Sequence, residues 1–440
     1  MATPPCELDF NPAQPGFWMQ PEPDRLAAFA RARQQGRPLW SPLPPTPLVK
    51  SKPGFYSLFG HADVKEASRR ADLFSSEPTA NTLYELPSWA AYFYGSMINM
   101  DNPRHARIRR VVGQAFTPRV LKKLDADLQS RSVRIVDDLI RQGPREFVEQ
   151  VAAKLPIQVI SDLMGIPERH HQRIFDRTNT ILGHLDTEFN GMKLSDHYRT
   201  GEMRFLDVLA TSSRVLHAGM DLFWMVQRLG AARKRAPADD LISRLVTPDE
   251  NGETLTPQEV GSFFILLVAA GNETTRNSIA HALHLLTRFP DQRDLLLSDF
   301  DGHIGGAVDE VVRFATPVRQ FRRNLTQDHE LGGTLLRKGD MVVLWYTSAN
   351  RDESVFTEPD QFDITRTPNP HVAFGGPGPH FCMGSHLARR EITVILRELL
   401  TRLPDIRTTG EPDFLVSSFL NGIKRMPFTF TAPRSAARGI

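Results

Sequence analysis

Two cysteines occur in the 440 residues, and the setting of one of them is chemically suggestive. Cys382 lies in the run Phe374-Gly375-Gly376-Pro377-Gly378-Pro379-His380-Phe381-Cys382-Met383-Gly384, and Leu387-Ala388-Arg389-Arg390-Glu391 then reads as a helix. The glycines let the backbone approach a flat ligand closely. A cysteine just before a helix N-terminus can be held as the thiolate, because backbone N–H groups and the helix dipole favour the anion. The plainer reading is a glycine turn with an incidental cysteine; Phe, His, Cys and Gly together at these offsets argue against it.

Three further sets have chemical meaning. Ala269-Ala270-Gly271-Asn272-Glu273-Thr274-Thr275 interrupts an otherwise apolar stretch. Glu273 and Thr274 put an acid beside an alcohol, which can relay protons, and the small Ala270-Gly271 pair can open the helix backbone to water. An isolated Glu-Thr pair is usually solvent-facing; its apolar surroundings single this one out. Glu310 and Arg313 stand at i, i+3 and share a helix face, a common local pair. His105 and Arg109 are four apart, again on one face, and a planar guanidinium suits a carboxylate. Each cation taken singly reads as a solvated surface residue.

The elements that must position these groups are mostly helical. Residues 103–117 and 119–142 carry Val, Leu and Ile at three- and four-residue spacing between charges, as amphipathic helices do. Thr256-Pro257-Gln258-Glu259 is a capping box with proline at the first helical position. The pattern it starts runs to Phe289-Pro290, where proline stops it. Roughly 33 residues at about 1.5 Å each give a helix of about 50 Å, long enough to cross the molecule. Extended segments are few: near Phe55 to Phe59, near Glu330 to Tyr346 with turns at Gly332-Gly333 and Lys338-Gly339, and near Phe414 to Thr431. The expected class is mainly α with a minor β portion.

Composition excludes other classes. Hydrophobic residues make up 40%, charged residues 24%, and the net charge is +2, so nothing global points to nucleic acid. The longest apolar stretch, Phe263 to Gly271, is too short for a bilayer. The N-terminus is Pro-rich, without a signal pattern, and reads as a coil on the surface. Cys6 sits in that tail, so a structural disulfide is not expected and a reducing cytoplasm fits.

The cysteine loop resembles the haem-binding signature of cytochromes P450, and the resemblance runs from about Phe55 to about Phe428. It implies the cytochrome P450 fold as a single haem domain over residues 25–435 behind a tail of residues 1–24. It implies haem b as cofactor, with Cys382 ligating the iron, where a thiolate favours O–O cleavage. Phe374 belongs to the same haem-binding loop. His105, Arg109, Arg323 (in Arg323-Asn324-Leu325-Thr326) and His380 would meet the propionates. Thr274 would be the alcohol beside oxygen and Glu273 the acid of the proton relay. Glu310, Arg313 and Arg366 would form a buried structural network beneath the haem. The loop is one residue longer than the commonest form. With Ala270-Gly271-Asn272-Glu273-Thr274-Thr275-Arg276, Phe116-Thr117-Pro118 and Asn421-Gly422-Ile423-Lys424, it is similar to a bacterial subgroup that oxidises sterols and methyl-branched lipids.

The implied activity is a monooxygenase acting on a small hydrophobic substrate (branched lipid, fatty acid, terpenoid or steroid). It would be a monomer supplied by a separate ferredoxin and ferredoxin reductase. A peroxide-driven peroxygenase and a non-catalytic haem-thiolate sensor are the alternatives. Four more features carry expectations. Arg319 would present its guanidinium to an acidic or oxygen-rich substrate, or else turn away to a carboxylate partner or to solvent. Trp89, Tyr92, Phe93 and Tyr94 would supply an aromatic wall. Arg107, Arg110, Arg389 and Arg390 would form a basic face for an acidic ferredoxin, or else be ordinary solvated arginines. His281, His284 and Met383 read as packing residues.

Overall fold

A computed structural model describes residues 7–44, 52–85, 88–183, 186, 205–248 and 252–432. Its axis is the helix Pro257–Arg288. Thr256 accepts from the Glu259 N–H while the Glu259 carboxylate accepts from the Thr256 N–H, the expected capping box, and the helix ends at Phe289 before Pro290. A helix apolar on nearly every side belongs in a core, and two apolar clusters flank it. One gathers Leu128, Phe147, Leu283, Val311 and Leu396; the other gathers Ile108, Ile160, Phe223 and Phe264. Two glycines let neighbours approach closely. A Cβ on Gly261 would collide with the Phe223 ring, and one on Gly271 would lie 3.0 Å from Ile160 Cδ1.

Around this axis pack the helices Lys154–Met164, Phe205–Arg235, Phe300–Ala315 and Ser385–Arg402. Residues 103–117 form the helix Arg104–Gly113 and a 3-10 turn Gln114–Phe116, and the next segment forms the helix Pro118–Gln142. To one side lies a five-stranded sheet. Its strands are β1 (Leu39–Pro42), β2 (Gly54–Leu58), β3 (Phe74–Ser75), β4 (Gln320–Leu325) and, after the hairpin of β5 (His329–Leu331) and β6 (Thr334–Leu336), β7 (Met341–Trp345). The order is β1-β2-β7-β4-β3, with only β2 and β7 parallel. Every residue of β7 is buried, which is why it reads as an unbroken apolar run. The turns at Gly332, Gly333 and Gly339 have positive φ, as their composition suggests. β1 and β3 carry too few residues for alternation to register.

The surface-coil reading of the N-terminal segment does not hold for its described residues. Pro15–Trp18 and Glu22–Arg33 are helices, each with proline in its first turn. Proline there opens a helix instead of breaking one. The boundary expected after residue 24 therefore falls inside a helix. Phe17, Trp18 and Phe29 are buried against Trp345, with the Trp18 and Trp345 rings 5.6 Å apart. Cys6 lies outside the described residues. Among the described residues, no helix is long and apolar enough to cross a membrane.

Candidate active site

One cavity brings together the Cys382 loop, the centre of the long helix and β4. Cys382, Phe374, Thr274, His105, Arg109, Arg323 and His380 all line it. Cys382 lies deep in the molecule, and what exposure it has is to this cavity. Its loop is pinned by the Cys382 N–H, which donates to the Phe374 carbonyl (2.9 Å). Gly375 holds φ +87° at the turn, where a side chain would be strained. Burial raises the thiol pKa, while the Gly384 and Ser385 N–H groups at the helix start, with Arg109 and Arg389, pull it down.

The four cationic candidates converge at one edge of the cavity. The rings of His105 and His380 lie 4.2 Å apart. Arg109 donates to the Phe381 carbonyl (2.6 Å) and Arg323 to the Arg322 carbonyl (2.7 Å). Among the described residues no carboxylate forms an ion pair with any of the four; Asp101, the nearest acid, is engaged by Ser75 and the Ser76 N–H. Burial first, then Arg109, pushes His105 down to about 4. Burial, then Arg323 and His105, depresses His380 as well. The buried His105 Nε2 has no hydrogen-bond partner. Two arginines without a carboxylate partner, beside two histidines whose protonation they oppose, make a buried edge that calls for an anion.

Glu273 and Thr274 are not brought together. Thr274 faces the cavity and its hydroxyl donates to the Ala270 carbonyl (2.6 Å). Glu273 turns to a second, small cavity with Asn179, Arg276, Gly422 and Lys424. It is paired with Arg276, its Oε1 has no partner, and burial raises its carboxyl pKa against the pull of Arg276. The structural network does assemble: Arg313 pairs with Glu310 (2.7 Å), both fully buried, and Arg366 approaches Glu310 at 3.3 Å.

Three expectations are corrected. Arg319 does not line the cavity: neighbouring Val318 does, while Arg319 turns back to the Ser417 carbonyl, Asn421 Oδ1 (2.7 Å) and the face of the Trp18 indole (4.6 Å). Buried guanidinium groups seek acceptors and ring faces when no carboxylate is at hand. Tyr92, Phe93 and Tyr94 do not form the cavity wall; Tyr92 and Phe93 pack on Phe223, and Tyr94 donates to the Val215 carbonyl. The Trp89 side chain is outside the described residues. The basic face is neutralised: Arg107 pairs with Glu259, Arg110 with Glu253, Arg389 with Asp309 and Arg390 with Asp125. His281 packs as expected, buried and bonded to the Asn421 carbonyl (3.0 Å).

The wall residues that sequence reading missed are apolar: Ile98, Phe263, Leu266, Val318 and Phe321. Leu266 and Ala270 stand eight and four before Thr274, so helical spacing alone places them on its face. Glu391, quoted only as part of a helix, also borders the cavity; burial raises its carboxyl pKa well above the usual range, and Oε2 has no partner.

Residues 54–414 match the family Cytochrome P450. The chain belongs to the cytochrome P450 family. It is 43% identical over 435 residues to a methyl-branched lipid omega-hydroxylase of Mycobacterium tuberculosis (strain H37Rv), covering 98% of this chain and 97% of that one. It is 38% identical over 400 residues to a steroid C26-monooxygenase of Rhodococcus jostii (strain RHA1), covering 90% and 80%. A solved Mycobacterium marinum cytochrome P450, in complex with pseudoionone, superposes with a TM-score of 0.87 at 37% identity, covering 98% of this chain and all of that one. The chain is thus a P450 monooxygenase of a haem-iron family. The residues present fit such a group: an unpaired cationic edge suits its carboxylates, and the cavity also carries a cysteine sulfur at a helix N-terminus.

Proposed function

We propose that this P450 hydroxylates a methyl-branched or steroid-like lipid at or near a terminal carbon, with haem b as its prosthetic group and electrons from a ferredoxin and its reductase. The observation that carries the reading is one cavity lined by Cys382, Thr274, a cationic edge and mostly apolar walls. The relatives named for branched-lipid and steroid oxidation support the substrate class.

Cys382 would hold the haem iron, and His105, Arg109, Arg323 and His380 its propionates, with Phe374 beside it. When bound, haem supplies the iron at which dioxygen is activated for insertion of one oxygen atom into an unactivated C–H bond. Burial raises the Cys382 thiol pKa, and the helix-start N–H groups with Arg109 and Arg389 oppose it, favouring the thiolate that an iron would take. Thr274 holds a proton at Oγ1 on the cavity side; on the far side of the helix, burial raises the Glu273 carboxyl pKa against the pull of Arg276, which favours proton uptake there. Ile98, Phe263, Leu266, Val318 and Phe321 exclude water and bind alkyl groups without charge. With Arg319 withdrawn, the described walls away from the cationic edge offer no guanidinium to a substrate carboxylate. This favours branched hydrocarbon recognition over selection for acids.

The test is turnover with NADPH, a surrogate ferredoxin and ferredoxin reductase, a methyl-branched fatty acid and a steroid, with products identified by mass spectrometry. Terminal hydroxylation with NADPH consumption is expected. Product formed only with hydrogen peroxide would make it a peroxygenase, and tight lipid binding without turnover would make it a sensor. The reduced, carbon monoxide-bound protein should show the red-shifted Soret band of thiolate ligation, lost in Cys382→His.

A further inference from the structure

Away from the cavity, large exposed apolar side chains gather on the helix Phe205–Arg235. Its inner side is committed to the core: Leu222, Phe223 and Val226 are buried, and Gly219 leaves no room for a Cβ beside the Tyr94 ring. The opposite side exposes Leu206 (65%), Leu209 (48%), Met220 (39%) and Trp224 (56%). At 100° per residue these four fall within a sector of roughly 60°, and they extend along about 27 Å of helix. Single exposed apolar residues are ordinary; four along one helix face, with exposed Ser213 and His217 between the two pairs, mark a contact surface.

The charge beside the patch identifies what it meets. A surface hollow of about 490 Å³ adjoins Trp224, and Arg169, Arg173 and Arg228 border it. Asp221 pairs with both Arg173 and Arg177 and offsets one of their two charges. Arg169 and Arg228 are exposed, and among the described residues neither has a carboxylate partner. The His170 ring registers the same unbalanced field: burial, then Arg169 and Arg173, holds its pKa below the usual value. An apolar stripe lying along the surface with cations at its rim is complementary to an apolar layer under acidic headgroups.

We propose that the outer face of the helix Phe205–Arg235 docks on an anionic lipid bilayer, its apolar stripe entering the headgroup boundary and Arg169 and Arg228 meeting lipid phosphates. Its purpose, delivery of a membrane-dissolved substrate, rests on the lipid reading above; the docking itself is measured without turnover.

The haem-loaded full chain is sedimented with vesicles of phosphatidylcholine alone and of equimolar phosphatidylcholine and phosphatidylglycerol. Anionic vesicles should bind it about tenfold more tightly or better, with the advantage lost in high salt. Trp224→Ser, and Arg169→Glu with Arg228→Glu, should each weaken binding about tenfold. Both should leave the haem spectrum and the oxidation of detergent-dispersed substrate unchanged, while oxidation of vesicle-borne substrate falls. Equal affinity for the two vesicles, variants that bind like the parent, or full competition by free glycerol phosphate would overturn the proposal. So would a dimer, formed without lipid and lost on Trp224→Ser, which would assign the face to a second copy. Loss of docking with oxidation intact overturns this inference alone; vesicle binding without lipid oxidation overturns the proposed reaction alone.

Discussion

Glu273 and Thr274 are consecutive residues that face different cavities: the Thr274 hydroxyl lies on the Cys382 side, and the Glu273 carboxyl, paired with Arg276, lies on the other. Any proton passing between them must go around the helix, by side-chain rotation or through water. Partnerless buried polar atoms on Asn272, Glu273 and Arg276 mark where water would be held.

The pair should therefore fail in two distinct ways. Thr274→Ala should fold and bind haem normally but form several-fold less product per NADPH, because the proton-holding hydroxyl at the cavity is gone. Glu273→Gln should keep better coupling but lower the turnover rate by roughly 10²-fold, the scale of losing a positioned acid. NADPH consumption measured alongside product separates the two. Unchanged coupling in Thr274→Ala would reduce Thr274 to packing.

Arg319→Met should leave substrate selection alone. Its guanidinium is occupied by Ser417, Asn421 and Trp18, so the affinity ratio between a branched acid and its methyl ester should not change in spectral titrations. Stability should fall by about 1–3 kcal/mol, because two buried acceptors lose their donor. A selective loss of acid binding would put Arg319 back in the recognition site.

Removing Arg313 should be far more damaging. It bonds Glu310 and the carbonyls of Asn350, Pro359 and Gln361. Arg313→Ala leaves a buried carboxylate short of its main partner, at about 3–5 kcal/mol. Arg313→Lys should recover only part of this, since an ammonium cannot reproduce the guanidinium fork. Thermal melts followed at the Soret band would rank parent above Lys above Ala; a Lys variant as stable as the parent would show that charge alone suffices.

What could be read from the sequence were features whose partners lie within one or two helical turns. Thr256 and Glu259 announce the long helix, Glu310 and Arg313 announce their pair, and Cys382 stands just ahead of its helix. The misread residues have partners far along the chain. Arg319 is set by Trp18 and by Ser417 and Asn421, and the arginines of the expected basic face are set by Glu253, Glu259, Asp125 and Asp309. Neither spacing nor composition carries that information. Prolines 15 and 23 misled for another reason: the same residue punctuates a coil and opens a helix, and only burial of Phe17, Trp18 and Phe29 decides between them.

His281 should give the fold an acid sensitivity that can be assigned to one residue. It is buried in the long helix, with Nε2 against the Asn421 carbonyl, and burial pushes its pKa from 6.5 down to about 4; that bond and Glu22 oppose the shift, while His284 and Arg319 add to it. The folded state thus holds His281 neutral where the unfolded chain would protonate it. Between about pH 6.5 and 4 the unfolded state binds more protons, so stability is full above 6.5 and declines as pH falls through this window. Below about 4 both states are charged and the decline from this residue stops. Its full size is on the order of 3 kcal/mol. His105 acts in the same direction, so the parent alone cannot isolate the effect. His281→Gln keeps a donor for Asn421 but does not titrate, and denaturant melts from pH 7.5 to 4 should show a shallower decline for it than for the parent. Parallel curves would mean that His281 is already protonated in the fold, or that water reaches it.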